Sequence, residues 1–88
     1  MPPELRSEVT AGPGGAMTDE VGVITGDLTV VTADQGDGTA RVRIQYTGAD
    51  EWYELEGSPA RITAGGLAAV HRAVVDAVRV GGAAHLPA

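Results

Sequence analysis

His71 is the residue whose chemistry is easiest to read. It falls at helical spacing among Leu67, Val70, Val74 and Val78, so a helix here sets an imidazole into an apolar stripe. Such a group could act as a general base or a pH switch. No partner is positioned beside it by sequence. A core-edge histidine, bonded to a backbone carbonyl or a tyrosine, is the plainer expectation. His85 forms no helical ligand pair with it. Nucleophiles are few: the chain holds Ser7 and Ser58, with no cysteine and no lysine. Neither serine has a recognisable base nearby in sequence, so covalent catalysis has little to work with. Carboxylates gather at turns, as Asp34, Asp37, Asp50 and Glu51, but DQGDG lacks the spacing of an EF-hand loop. Ala64-Gly65-Gly66 could offer free N–H groups to an anion, yet no P-loop lysine follows. The expectation is no metal, no cofactor and no enzyme.

A second group of residues points to binding. Arg41, Arg43 and Gln45 alternate with apolar residues, as do Trp52, Glu54 and Glu56. Parity puts the two sets opposite each other on one sheet face. The plain reading is a solvated charge ladder with Trp52 over an arginine. The sharper one is a partner-binding surface of Trp52, Arg41, Arg43 and Glu54, with Trp52 as its anchor. The alternative is a small-molecule-binding domain or minor enzyme, with a pocket between helix and sheet lined by Tyr46, Tyr53 and His71.

These residues need elements to hold them. VGVITGDLTVVT, residues 21–32, is β-branched and reads as one strand, with Gly26 marking a bulge or close backbone packing. Asp37-Gly38 is a hairpin signal. Residues 39–47 alternate strictly, with Ala40, Val42, Ile44 and Tyr46 on one side. Residues 52–56 alternate again, and Pro59 ends that strand. Thr63 is placed to cap a helix that runs to about Val80 and stops at Gly81-Gly82. The expected fold is α+β: a three-stranded antiparallel β-meander packed on one C-terminal α-helix in two layers. Its core would be Ile24, Leu28, Val30, Val42, Ile44, Tyr46, Tyr53, Leu55, Leu67, Val70, Val74 and Val78. Residues 21–82 make the domain. Residues 1–20, broken by Pro and Gly, read as a disordered tail, with Met17 an alternative start. Residues 83–88 read as a frayed C-terminus.

Length and composition narrow the function further. The 88 residues hold one small core. A net charge of −6 leaves no basic surplus for nucleic-acid phosphates, and no apolar run is long enough to span a bilayer. Without cysteine there is no disulfide framework. The absence of Lys, Phe and Asn, beside abundant Ala and Gly, suggests a high-GC bacterial genome. No secretory h-region is visible, so the cytoplasm is the default. The thin, aromatic-poor core suggests stabilisation by a second copy. A small interaction or regulatory accessory module, homodimeric and open to a protein partner, is the expected function.

Overall fold

The computed structural model describes residues 3–86. Its elements are β1 (Glu4–Thr10), β2 (Ala16–Thr18), β3 (Gly22–Ile24), β4 (Asp27–Asp34), β5 (Thr39–Tyr46), β6 (Tyr53–Glu54), β7 (Ala60–Arg61) and α1 (Gly66–Val80). The architecture is α+β, an antiparallel sheet with one C-terminal helix. The main sheet runs β1-β4-β5-β6, with β7 also paired to β5. β2 and β3 form a separate ribbon. The sheet is not the expected three-stranded meander: β4, β5 and β6 follow one another in it, but β1 lies on the far side of β4 and β7 also pairs with β5, which makes five strands.

The N-terminal expectation needs the largest correction. Residues 4–10 are a full strand, antiparallel to β4 from Glu4↔Ala33 to Thr10↔Asp27. Their alternation is genuine but faint: Leu5, Ser7 and Val9 face the helix side, with a serine in the middle of the apolar set. The Gly/Pro run after β1 is also ordered. Gly12 N–H donates to Val78 O at the helix end, and Gly82, Ala83 and Ala84 donate to Pro13, Gly14 and Gly15. A Cβ on Gly12 would stand 2.3 Å from Val80 O, and one on Gly15 would stand 2.1 Å from Ile24 O. The glycines let two backbones touch; they do not mark a loose tail. The C-terminus is not frayed within the described residues either. Ala84 and Leu86 are buried, and Leu86 N–H donates to Glu56 O. Pro87 and Ala88 lie outside the described residues.

Gly26 divides the expected 21–32 strand rather than bulging it. It has φ +88, and the chain leaves β3 there and enters β4 in the main sheet. Asp37-Gly38 closes the β4–β5 hairpin, where Gln35 N–H donates to Thr39 O. The helix begins at Gly66, later than expected. Thr63 accepts from Gly66 N–H through its carbonyl, and no side chain caps the helix. Its other end is as read: Gly81 has φ 87 and its N–H donates to Ala77 O.

Val9, Ile24, Leu28, Val30, Val42, Ile44, Leu55, Val74 and Val78 meet in the core, joined by Ala16, Ala84 and Leu86. Tyr46 does not join it. It stands 43% exposed beyond the helix, although it shares a face with Leu28. Tyr53 and Leu67 are half-buried at the margin. The helix packs chiefly on β1 and β4, while β2 and the C-terminal segment meet near Leu55 and Glu56, through the Ala16↔Ala84 and Thr18↔Leu55 bridges and the Leu86 N–H to Glu56 O bond.

Candidate functional site

Three places in the fold gather residues with chemistry. The first lies under the helix. His71 Nε2 is 2.7 Å from Ser7 Oγ on β1, and Nδ1 is 2.8 Å from Thr32 Oγ1 on β4. His71 is 8% exposed and Thr32 is fully buried. Burial pushes the imidazole pKa down from its ordinary value of 6.5. A neutral ring has one N–H and one lone pair, and two hydroxyls complete both. The expected carbonyl or tyrosine partner is replaced by Ser7 and Thr32. The sequence does not reveal this cluster, because Ser7 lies in a Pro- and Gly-broken stretch that reads as a tail. The only signal was the alternation of residues 4–10.

A hydroxyl against a neutral imidazole is also the pairing that activates a nucleophile. Here the Ser7 main chain is committed to the ladder. Pro3 O accepts from Asp34 N–H and Ala11 N–H donates to Gly26 O. By alternation, Leu5, Ser7 and Val9 turn their main-chain groups toward β4. Ser7 therefore has no amide N–H of its own free to hold an oxyanion. The polar chain ties helix, edge strand and central strand together.

The second place is the outer sheet face. Arg43 pairs with Glu54 in the β5–β6 register, and Arg41 forms an ion pair with Glu54. Trp52 has two cationic neighbours, Arg43 and Arg6, each 5.7 Å from the ring centroid. Val31 lies between those arginines in the register and is only 3% exposed although it faces outward. The face holds part of the expected charge ladder, Arg41 and Arg43 about Glu54, with Arg6 from β1 beside Trp52, whereas Glu56 lies beyond β6. Trp52 is half-buried on this face. Gln45, on the same face, is buried and donates to Ala49 O at the next turn.

The third place is the open side of β1. Glu4, Arg6, Glu8 and Thr10 alternate with the inward-turned residues, so their N–H and C=O groups point away from β4. β1 is the terminal strand of the sheet, and its outward side chains are exposed. Beside it runs a shallow cleft of about 400 Å³ along the helix, lined by Leu5, Ser7, Ala68, Arg72, Val75 and Arg79, among others.

A separate apolar groove of about 380 Å³ lies on the opposite flank of the helix. Leu55, Val70, Val74 and Leu86 line its depth, and Arg61 and His85 line it too. It lies between helix and sheet, as anticipated for a pocket, but Tyr46, Tyr53 and His71 do not line it. Tyr53 instead places its hydroxyl 3.3 Å from Glu51. Burial, with that carboxylate, pushes its pKa up. The two tyrosines and His71 do not converge, because the helix sits over β1 and β4.

Among the described residues no group of His, Asp and Glu could hold a metal ion, and no helix is long and apolar enough to cross a membrane. Comparison with protein-family models, curated proteins and solved structures gave no match.

Proposed function

We propose that this protein is a small non-enzymatic interaction module that acts as a homodimer, a regulatory accessory to other proteins. The open β1 edge carries this reading. Among the described residues it presents a run of main-chain groups with no strand beside them, and such an edge is a template for another strand. Two features support it. The core is built largely from Val, Ile, Leu and Ala, without Phe, and a second copy would extend it. Trp52, with Arg6 beside its ring, contributes by holding an edge side chain in place. Absolute mass by light scattering, over a range of concentrations, tests the proposal. A dimer is expected; a monomer at every concentration overturns it.

The apolar groove favours a second reading, a domain that binds a small apolar molecule between helix and sheet. A rise in melting temperature with members of a metabolite panel would support it. No shift with any member would count against it.

A further inference from the structure

Building on the interaction-module reading, we propose that the partner at the β1 edge is a second copy of β1, paired antiparallel about a two-fold axis through Ser7. The register follows from geometry and charge. Only residues whose main-chain groups point outward can bond across the edge, namely Glu4, Arg6, Glu8 and Thr10. A slip by one residue would match them with residues already turned toward β4, so it makes no ladder. The remaining registers differ in charge and in overlap: centring on Leu5 sets Glu4 against the partner's Arg6 but pairs only Glu4–Arg6, and centring on Val9 pairs only Glu8–Thr10. Centring on Arg6 sets Arg6 against Arg6 and Glu4 against Glu8. Centring on Glu8 sets Glu8 against Glu8. Centring on Ser7 sets Arg6 against the partner's Glu8, Glu8 against the partner's Arg6, and Glu4 against the partner's Thr10. It also overlaps the whole of β1 (Glu4–Thr10). Opposite charges directly across strands stabilise, and like charges destabilise.

The side facing the helix agrees. Leu5 meets the partner's Val9, and the two Ser7 residues meet at the axis as a non-hydrogen-bonded pair. The cleft beside β1 then lies along the joint between the two helices. The sheets of both copies become one continuous sheet, and the Ser7–His71–Thr32 chain lies at its centre. Charges along an exposed edge ordinarily discourage pairing. Here their alternation rejects the registers centred on Arg6 and Glu8, and the full overlap of β1 favours the Ser7 register over the Leu5 one.

Cross-linking and charge reversal test the register. In a non-hydrogen-bonded antiparallel pair the Cα atoms are about 4.5 Å apart, within the range that a disulfide bridges. The native chain has no cysteine, so Ser7→Cys should give a covalent dimer under mild oxidation, while Arg6→Cys and Glu8→Cys should not. Glu8→Arg alone and Arg6→Glu alone should each weaken the dimer about tenfold or more. Mixing the two variants should restore pairing, because each then supplies what the other lacks. Restoration also shows that both variants are folded. A wild-type dimer with Arg6→Cys or Glu8→Cys cross-linking instead, or with no response to charge reversal, overturns this register and leaves the module reading standing. A monomeric wild type overturns both.

Discussion

The two flanks of the helix are built on opposite plans. On the β1 side, His71 joins Ser7 and Thr32 through both ring nitrogens, and the contact is directional. On the other side, Ala69, Ala73 and Ala77 leave an apolar groove against Leu55 and Leu86, and the contact is loose. Hydrogen bonds between buried groups fix orientation, because misalignment leaves a polar atom unpaired. Small apolar residues fix only distance. The helix is therefore oriented by its β1 flank, while the groove flank tolerates change.

The sharpest way to break this contrast is His71→Ala. It removes a buried ring and leaves the Thr32 hydroxyl without its partner. A loss of about 2–4 kcal/mol is expected in denaturant unfolding. A loss below 1 kcal/mol would mean the β1 flank orients nothing.

The pH dependence follows next. Burial lowers the His71 pKa in the folded state, so the unfolded chain binds this proton more readily. The contribution of neutral His71 is complete above the unfolded value of about 6.5 and is lost as pH falls below it. Wild type should lose stability on acidification in that window. The difference between wild type and His71→Gln should shrink as pH falls; a constant difference would show that the ring does not titrate as described.

Smaller effects belong to the other half. Ser58 Oγ accepts from Val42 N–H at 2.9 Å, beyond the end of the short β6. Ser58→Ala should cost about 1 kcal/mol by chemical denaturation; no cost would mean that water replaces the hydroxyl. The least effect should come from Ala73→Leu, which adds apolar volume to the groove. A change within about 1 kcal/mol is expected, since no packed layer is displaced. A loss of several kcal/mol would show the groove flank to be as tightly specified as the other.

Sequence alone determined the elements with strong local pattern. The alternation of residues 39–46, the Asp37-Gly38 turn and the apolar stripe of the helix were each legible, because strand and helix periods are properties of neighbouring residues. So was the placing of Arg43 opposite Glu54, since parity survives small shifts of register. Tertiary structure decided what depended on distant contacts. Only it recruited residues 4–10 as an edge strand, because Ser7 becomes an inward residue once His71 meets it. Only it turned the Gly-rich run of 12–15 into a strap, since backbone contact needs both partners present. The exposure of Tyr46 was decided in the same way. Its alternation gave the face, but the helix covers β1 and β4, and a side chain is buried only where another layer reaches it.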